Sequence, residues 1–427
     1  MKQDLRAPRG TQNILPGETT IWQRIESKAL EICQKFGFFE IRVPTFEYTG
    51  LFTKSVGDST DVVQKEMFTF LDRGGRSLSL RPEGTAGTVR AVLESGIIND
   101  ALPLKVFYLL TCFRNERPQA GRFKEFHQFG AELFGSDSPI ADVEIISMAS
   151  CFFDELGIKG LKLNLNSIGC KNCRTDYYHA LIDYYKQHVD KLCDVCLERL
   201  YKNPMRLLDC KTKECSELAK GAPKIIDYLC NECNEHFESV KKLLSLQKIE
   251  YTINPTIVRG LDYYTKTVFE FTSNELGAQS TVCGGGRYDS LVEMMGGKPT
   301  PALGYGIGME RLILIMKAQN NQITKVEKSC YLYIGNMGDE AVSVVFDIAR
   351  KLREKGFSVQ TDLMSRSIKA QMKYADKIGA HYSCIIGDLE MEKGVVKIKD
   401  MQGDNPFDVS LESFEEEFCR QFKDRLN

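Results

Sequence analysis

Residues 105–135 read KVFYLLTCFRNERPQAGRFKEFHQFGAELFG and give the clearest structural signal in the chain. Apolar and aromatic residues dominate 105–114 and again 124–135, and the polar segment 115–122 separates the two runs. Two such runs joined by a short polar segment predict a pair of antiparallel strands. We therefore expect an antiparallel sheet at the centre of the fold.

The same hairpin carries polar residues at positions that indicate a binding site. Because side chains alternate between the faces of a strand, Gln128 and Glu132 share one face, while His127 points to the other and is expected to be structural. The guanidinium of Arg114 could hold a phosphate, and the ring of Phe126 could stack on a planar base. A purely structural Arg–Glu pair explains the hairpin equally well when it is taken alone.

Three further motifs suggest chemistry that the hairpin lacks. Residues 259–265, RGLDYYT, place a fixed cation, an acid and two phenols close together, and residues 283–289, CGGGRYD, contain three glycines that let backbone approach a ligand. Residues 304–311, GYGIGMER, lead from glycines into a predicted helix that carries Arg311. Their Gly-x-Gly-x-Gly spacing is not that of a dinucleotide-binding turn, and the chain has no Walker motif. An ATP site would have to be of another kind.

Composition narrows the functional classes. The chain has 427 residues, of which 27% are charged, and a net charge of −2. Any nucleic-acid contact must therefore come from local basic patches. The N-terminus lacks a signal-like apolar segment, and no run approaches the ~20 apolar residues that cross a bilayer. We expect a cytoplasmic protein with no membrane partner, whose 15 cysteines are reduced thiols or metal ligands rather than disulfides.

Helices and strands are predicted on both sides of the hairpin. Between 170 and 250 the texture changes to helical periodicity rich in lysine, cysteine, leucine and tyrosine, which predicts a mostly helical insertion. After a polar linker at 319–328, strands and helices alternate to the end of the chain, which predicts a small α/β domain. Predicted helices elsewhere cover 20–36, 84–96, 142–156 and 309–318, and predicted strands cover 38–44, 77–81, 251–258 and 267–272.

The motifs taken together resemble those of class II aminoacyl-tRNA synthetases. The helix and strand that end at Pro44, the hairpin around Arg114 and the glycine run that ends in Arg311 resemble the first, second and third motifs of that class. Residues 259–265 and 283–289 resemble the two signatures of the histidyl-tRNA synthetase family. The motifs are separate and in the right order, so the resemblance is specific.

The resemblance covers nearly the whole chain, and residues 80–85, LRPEGT, resemble the amino-acid-binding strand of that family. It implies an α+β catalytic core over 1–322, built on a class II antiparallel sheet flanked by helices. The helical insertion at 170–250 interrupts this core. Residues 328–427 would form an α/β anticodon-binding domain.

The resemblance also implies an activity, namely ATP-dependent attachment of histidine to its tRNA through a histidyl-adenylate. The expected partners are histidine, ATP with Mg²⁺, tRNA and a second copy of the chain, since class II members use the first motif at a dimer interface. The histidine carboxylate arrives ionised. The enzyme therefore has to position the reactants and stabilise charge on the α-phosphate rather than supply a base.

The family resemblance assigns roles to individual residues of this sequence. Catalytic residues at the α-phosphate would be Arg114 and Arg259. Histidine-binding residues would be Glu83, Thr85, Gln128, Glu132, Arg259, Tyr263, Tyr264 and Tyr288. ATP-binding residues would be Arg114, Glu116, Phe126 and Arg311. Residues that contact the acceptor end of the tRNA would be Gln119 and Arg122.

Eight of the 15 cysteines lie within the expected insertion. Six of them form Cys-x2-Cys pairs, the spacing that structural tetrahedral zinc requires, and eight thiolates could close two four-cysteine sites. Zinc is not a general requirement of the family, and reduced thiols in a helical insertion are the alternative. The candidate zinc ligands are Cys170, Cys173, Cys193, Cys196, Cys210, Cys215, Cys230 and Cys233.

Three other functions are weighed against this assignment. A histidine-sensing regulatory subunit of ATP phosphoribosyltransferase resembles the catalytic domain, but it lacks the C-terminal domain and departs from the signatures, whereas Arg114, Arg259 and Arg311 are all present here. Synthetases for threonine, proline or glycine share the architecture, but Glu132 and the motif at 259–265 argue against them. A non-catalytic RNA-binding protein would leave the arginines unexplained and would have a more basic surface.

Overall fold

A computed structural model describes residues 5–57, 60–210, 212–276, 280–325, 330–401, 403 and 406–422. The chain divides into two compact units, Met1–Lys325 and Val326–Asn427. The predicted linker at 319–328 lies partly outside the described residues, and within it Gln322–Thr324 forms a 3-10 turn. Among the residues described, no helix is both long and apolar enough to span a membrane.

A mixed sheet forms the centre of the first unit. The strands of this unit are β1 (Phe39–Glu40), β2 (Phe46–Tyr48), β3 (Thr69–Leu71), β4 (Ser77–Leu80), β5 (Leu104–Phe113), β6 (Glu125–Phe134), β7 (Lys162–Ser167), β8 (Tyr251–Ile253), β9 (Thr265–Thr272), β10 (Thr281–Arg287) and β11 (Ala302–Gly308). Eight of them form one sheet in the order β1-β5-β6-β11-β10-β9-β7-β8, and β2-β4-β3 form a small separate sheet. The pairs β1/β5 and β7/β8 are parallel, while the other pairs of the large sheet are antiparallel.

Four helices cover one face of the large sheet. The helices of the first unit are α1 (Glu18–Lys35), α2 (Thr49–Val56), α3 (Thr85–Ser95), α4 (Pro139–Glu155), α5 (Lys171–Lys186), α6 (Asp194–Lys202), α7 (Lys213–Lys220), α8 (Asn231–Leu246), α9 (Leu291–Met294) and α10 (Met309–Ala318). Apolar residues of α1, α4, α8 and α10 form a single core with residues of the sheet. These four helices do not cover the opposite face of the sheet.

The predicted hairpin is confirmed, and its two faces differ sharply. Strands β5 and β6 pair without a register shift from Leu104–Phe134 to Phe113–Glu125. Phe129 belongs to the apolar core, whereas Gln128 lines a cavity on the other face. His127 lies on the same side as Phe129, where its ring packs edge-on against Trp22 with 4.7 Å between ring centres.

Two predicted strands are shorter than expected, and five strands of this unit, β2, β3, β7, β10 and β11, had no prediction. The runs at 38–44 and 251–258 pair only at β1 and β8, and each contains a proline, which cannot donate to a sheet. The glycine runs at 283–289 and 304–311 contribute β10 and β11, two central strands. Glycine carries little strand propensity, so these strands were not visible as such in the sequence.

The cysteine-rich segment is a mostly helical insertion, as predicted. Helices α5 to α8 lie between β7 and β8, which are neighbours in the sheet. Side chains of the insertion, among them Tyr177 and Leu181, share a second core with Tyr264 and Tyr288, which lie outside it. The insertion therefore packs directly behind the two signature motifs.

The second unit has the predicted alternation of strands and helices. Its strands are β12 (Leu332–Asn336), β13 (Val359–Thr361), β14 (Tyr382–Ile386), β15 (Val395–Asp400) and β16 (Phe407–Ser410), and its helices are α11 (Asp339–Glu354), α12 (Ile368–Lys377), α13 (Asp388–Lys393) and α14 (Phe414–Gln421). The sheet order is β13-β12-β14-β15-β16. Strands β13, β12 and β14 are parallel, and β15 and β16 are antiparallel additions.

Candidate active site

A cavity of about 570 Å³ opens on the face of the sheet opposite the four-helix core. The three arginines predicted to contact phosphate, Arg114, Arg259 and Arg311, all line it. They come from three different parts of the chain, and the sheet brings them together. The charged side chains around the cavity are Arg114, Glu116, Arg122, Asp209, Arg259, Glu270, Glu310 and Arg311.

Glycines in β10 and β11 form the floor beneath two of the predicted residues. A Cβ on Gly284 would lie 2.1 Å from Nη2 of Arg259, and one on Gly304 would lie 1.7 Å from Oε2 of Glu132. Such distances are far inside van der Waals contact. Gly284 and Gly304 therefore each leave room for one polar side chain to lie flat on the sheet, which explains one glycine in each of the two runs.

Arg259 is held as a fixed cation at the cavity wall. Its guanidinium pairs with Glu270 and lies 5.8 Å from the ring centre of Tyr264. Thr281 Oγ1 donates to Oε2 of Glu270 at 2.9 Å. Burial lowers the pKa of Arg259, but the carboxylate of Glu270 together with Tyr264 and Cys283 outweighs burial and raises it. Glu270 was not predicted, and its signal in the sequence is only that it is the lone carboxylate of β9.

Arg114 lies beyond the end of β5, beside two other residues predicted for ATP. Its Nε donates to the carbonyl of Pro82 at 2.8 Å, and its guanidinium lies 5.5 Å from the ring centre of Phe126. Its Nη1 is 3.9 Å from Oε1 of Glu116, which also pairs with Arg122. The hairpin thus presents an arginine, an aromatic face and a carboxylate to one side of the cavity.

Arg311 ties the hairpin loop to the sheet. Its Nη1 donates to the carbonyl of Thr281 at 2.7 Å and its Nε to that of Gly121 at 3.3 Å. Within the loop, Gln119 N donates to the carbonyl of Arg122 at 3.1 Å, and Arg122 N donates back to that of Gln119 at 2.9 Å. Burial lowers the pKa of Arg311, and the charge of Arg122 lowers it further.

Glu132 forms the centre of a buried polar pocket next to the cavity. Its Oε1 accepts from Thr85 Oγ1 at 2.7 Å and from the hydroxyl of Tyr108 at 3.0 Å, while Oε2 accepts from the hydroxyl of Tyr288 at 2.5 Å. The side chain is fully buried. Burial raises the pKa of Glu132 to about 8. Tyr108 was not among the predicted residues.

Glu83 and Gln128 cap the first turn of α3, which forms another wall of this pocket. The carboxylate of Glu83 accepts from the amides of Thr85 at 2.6 Å and Ala86 at 2.8 Å, and Oε1 of Gln128 accepts from the amide of Gly84 at 3.0 Å. Burial raises the pKa of Glu83. The first turn of α3 is therefore fixed by two of the residues predicted to bind the amino group of histidine.

The three signature tyrosines are packed together and almost completely buried. The ring centres of Tyr263 and Tyr264 are 4.7 Å apart, and those of Tyr263 and Tyr288 are 5.5 Å apart. Burial raises the pKa of Tyr264 to about 12, so its phenol stays protonated and can donate a hydrogen bond at neutral pH.

A buried ionic cluster, which the sequence did not reveal, fixes the end of β10, next to Tyr288. Arg287 donates from Nη2 to Oδ2 of Asp142 at 2.7 Å and from Nη1 to the carbonyl of Ser136 at 2.8 Å. His236 of the insertion contacts the same Oδ2 through Nε2 at 3.1 Å. Neither Arg287 nor Asp142 is exposed by more than 2%. The cluster joins α4, β10 and α8 behind the pocket.

The eight cysteines of the insertion assemble into two groups of four, within each of which all sulfurs lie within 4.8 Å of one another. The first cysteine group is Cys170, Cys173, Cys230 and Cys233, and the second is Cys193, Cys196, Cys210 and Cys215. In the first group, Sγ of Cys170 lies 3.6 Å from that of Cys173 and 4.0 Å from that of Cys230. In the second group, the Sγ atoms of Cys193 and Cys210 are 3.8 Å apart. Four thiolates around a zinc ion at ~2.3 Å lie about 3.8 Å apart, so either group can hold a metal ion.

Comparisons with known proteins agree along the whole chain. A family model described as histidyl-tRNA synthetase matches residues 10–173 and 179–312, and one described as anticodon binding domain matches 329–421. A histidine–tRNA ligase of Acetivibrio thermocellus is 50% identical over 408 residues, which cover 96% of this chain and 98% of the relative. One of Caldicellulosiruptor bescii is 48% identical over 422 residues, 99% of each chain.

A solved structure gives the same result. The crystal structure of apo S. aureus histidyl-tRNA synthetase matches with a TM-score of 0.82 at 34% identity, over 97% of this chain and 99% of that one.

Proposed function

This chain belongs to the histidyl-tRNA synthetase family and attaches histidine to tRNA, and we propose that the arginine-lined cavity is where it activates histidine with ATP. The observation that carries the proposal is that Arg114, Arg259 and Arg311 surround one cavity beside the buried carboxyl of Glu132. A carboxylate oxygen of histidine attacks the α-phosphorus of ATP and pyrophosphate leaves. A ribose hydroxyl of the tRNA then displaces AMP from the histidyl-adenylate.

Arg259 and Arg114 would stabilise the charge that develops on the α-phosphate. Both guanidiniums are held in place before substrate binds, Arg259 by Glu270 and Arg114 by the carbonyl of Pro82. Donors that are already oriented need little reorganisation in the transition state, which is how such groups accelerate a reaction. Arg311, which also lines the cavity, would contact the γ-phosphate.

The remaining groups of the cavity suit the rest of the nucleotide. Phe126 offers one face for stacking on adenine, and Glu116 offers a carboxylate to its exocyclic amine. The carboxylate of Glu310, which also lines the cavity, is a hard oxygen donor of the kind that Mg²⁺ prefers, and the ion, when bound with ATP, would neutralise triphosphate charge that the arginines do not reach.

The pocket around Glu132 would bind the amino acid. Glu132 and Tyr264 would contact the two imidazole nitrogens, one as an acceptor and the other as a donor, with Tyr263 and Tyr288 as the walls. Glu83, Thr85 and Gln128, at the first turn of α3, would hold the α-amino group. A pocket that hydrogen-bonds an imidazole rejects side chains that leave its buried polar groups unpaired.

The experiment that tests this proposal is ATP–pyrophosphate exchange with each of the twenty amino acids, without tRNA. Exchange with histidine and with no other amino acid is the expected result. Exchange with a different amino acid would refute the assignment of the Glu132 pocket. Absence of any exchange, with histidine still bound, would refute the proposed activation chemistry in this cavity.

We propose that tRNA contacts both units of the chain. The second unit matches the anticodon-binding family, and residues 328–427 would contact the anticodon. Gln119 and Arg122 in the hairpin loop would contact the acceptor end. Gln119→Ala should then raise KM for tRNA in aminoacylation more than KM for histidine.

We propose that each of the two cysteine groups binds one structural zinc ion. The fit rests on the closeness of four sulfurs in each group and on the preference of zinc for tetrahedral thiolates. Purified protein should contain two zinc ions per chain by inductively coupled plasma mass spectrometry. Protein that is purified without zinc and is nevertheless folded and fully active would refute the proposal.

We propose a symmetric homodimer in the cytoplasm, where the protein-synthesis machinery of the cell works. Strand β1 and the small sheet β2-β4-β3 expose a group of large apolar side chains, of which Phe39 is 74% and Leu71 is 70% exposed. Such a concentration of exposed apolar residues is typical of an interface. Sedimentation equilibrium should give twice the chain mass of 48.4 kDa. The other members of the group are Phe46, Tyr48 and Phe70.

A further inference from the structure

The first cysteine group lies at the joint between the insertion and the histidine pocket. Cys170 precedes helix α5, and Arg174 follows Cys173 in the first turn of that helix. Nε of Arg174 donates to the carbonyl of Ile168 at 3.2 Å, and its Nη2 donates to the carbonyl of Tyr264. One side chain therefore ties the end of β7 to the residue that precedes β9.

The pair Cys230 and Cys233 of the first cysteine group lies close to Lys266, two residues after Tyr264. Lys266 has a φ of +47°, which a non-glycine residue keeps only when its surroundings hold it there. Its amide donates to the carbonyl of Gly169 at 2.9 Å, and its Nζ pairs with Oε1 of Glu232 at 2.9 Å. Glu232 lies between Cys230 and Cys233. Both Cys-x2-Cys pairs of this group thus lead directly to the start of β9.

The second cysteine group makes a different kind of contact with the catalytic unit. Near it, Arg199 pairs with Asp61 at 2.7 Å and Arg206 pairs with Asp262 at 2.7 Å. These are side-chain ion pairs at partly exposed positions. The backbone carbonyl of Tyr264, by contrast, accepts a hydrogen bond from the side chain of Arg174, near the first cysteine group. Among the described residues, no arginine near the second cysteine group donates to that carbonyl.

We propose that Arg174 is a positioning residue that couples metal binding at the first cysteine group to the affinity for histidine. The inference rests on the histidine pocket and the zinc sites proposed above. Zinc held by Cys170 and Cys173 would fix the first turn of α5, and hence the guanidinium of Arg174. That guanidinium fixes the backbone of Tyr264, whose ring stands beside Arg259 at the pocket.

Tyr264 lies beside Arg259, which Glu270 also holds, and the other residues proposed to contact ATP are not reached by this route. Arg114 is anchored on Pro82, and Arg311 on Thr281 and Gly121, all of them outside the insertion. A disturbance at Arg174 should therefore change KM for histidine and leave KM for ATP nearly constant. That split separates positioning of Tyr264 from a general loss of structure.

The test compares Arg174→Ala and Arg174→Lys with Arg199→Ala, a matched control near the second cysteine group. In pyrophosphate exchange, Arg174→Ala should raise KM for histidine about tenfold, the effect expected of one lost charged hydrogen bond, and change KM for ATP by less than about twofold. Arg174→Lys should restore part of the loss, because its ammonium can still reach one carbonyl. Arg199→Ala should keep a wild-type KM for histidine.

Readouts other than activity accompany the kinetics. Zinc content should stay at the wild-type value in Arg174→Ala, and histidine affinity measured by titration calorimetry should fall as KM rises. An unchanged KM for histidine in Arg174→Ala, or an equal rise in both KM values, would overturn the inference. If Arg174→Ala does not fold, a wild-type KM for histidine in Arg174→Lys combined with wild-type unfolding would overturn it instead.

Zinc removal completes the test on the full-length protein. Chelation should weaken histidine binding by wild type about tenfold and cause no further loss in Arg174→Ala, because the link is already broken. A further loss of the same size in Arg174→Ala would exclude a route through this residue. If purified wild-type protein contains no zinc, the proposed coupling of metal binding to histidine affinity is refuted. A wild type with no histidine-dependent exchange would instead refute the proposed function itself.

Discussion

The two faces of the eight-stranded sheet are made of alternate residues of the same strands, yet they do different work. On β6, Phe129 and its apolar neighbours two and four residues on are buried in the four-helix core. Gln128 and Glu132, one residue out of phase, are hydrogen-bonded on the other face. Apolar burial on the first face stabilises the fold, whereas the oriented polar groups on the second face are the ones proposed to bind and activate the substrate. Stability and chemistry should therefore respond separately to substitutions one residue apart.

The largest expected effect is on stability, from a substitution on the core face. Phe129 is fully buried, and its ring packs edge-on against Phe152 and Tyr305 at 5.0 Å and 5.8 Å between centres. Phe129→Ala should lower the free energy of unfolding of the catalytic unit by about 3–5 kcal/mol, because it removes apolar burial and leaves a cavity. Urea unfolding followed by circular dichroism measures this. Histidine-dependent exchange per folded molecule should stay near wild type, and a selective loss of exchange would contradict the division of labour.

The next effect is on catalysis, from the site face. Arg259→His should slow adenylate formation roughly 10²- to 10³-fold, as expected for the loss of one preorganised donor to the phosphate. Histidine binding should be largely intact, because the proposed imidazole pocket is built around Glu132. Single-turnover adenylation and calorimetric titration with histidine measure the two quantities. Adenylation at the wild-type rate would remove Arg259 from the mechanism.

A pair of adjacent glycines gives a sharper comparison of the two faces. A Cβ on Gly284 would meet the guanidinium of Arg259, which can swing aside, whereas one on Gly285 would meet the carbonyl of Gly304 at 2.3 Å and the ring of Phe269 at 2.7 Å. Gly284→Ala should therefore reduce exchange about 10- to 100-fold by displacing Arg259 from its proposed catalytic position, with little change in unfolding midpoint. Gly285→Ala should cost about 1–3 kcal/mol of stability through overpacking.

The same assays that measure Arg259→His decide this comparison. If Gly284→Ala unfolds as readily as Gly285→Ala, the glycine floor serves the backbone and not Arg259. If both variants lose activity to the same extent and keep full stability, the two faces are not separable at β10.

The difference between the two faces also explains which strands and helices the sequence could predict. Alternating apolar residues on the hairpin, helical periodicity in the insertion and the alternation after residue 330 are local signals, and the elements they predicted are present. Strands β10 and β11 were missed because their glycines are required by side chains from elsewhere in the chain. Those side chains come into place only when the sheet pairs.

Two residues beside the site were missed for the same reason. Glu270 becomes the partner of Arg259 because β9 and β10 pair it opposite Gly284, and Tyr108 reaches Glu132 because β5 and β6 pair it opposite Gly130. Neither register is encoded in a short motif. The motifs at 259–265 and 283–289 identified the family, but the contacts that orient Arg259 follow only from strand pairing.

The smallest expected effect is a pH dependence of stability that arises on the site face alone. Glu132 has a pKa of about 8 in the folded chain because it is buried, against an ordinary value of 4.5. Between these values the folded state holds a proton that the unfolded state has released, so this group's contribution to stability falls as the pH rises toward and through 8. The free energy of unfolding of wild type should therefore drop by about 1 kcal/mol more than that of Glu132→Gln between pH 7 and pH 8. Urea unfolding of both proteins at the two pH values measures the difference, and parallel pH profiles would show that Glu132 is already ionised in its pocket of hydroxyl donors.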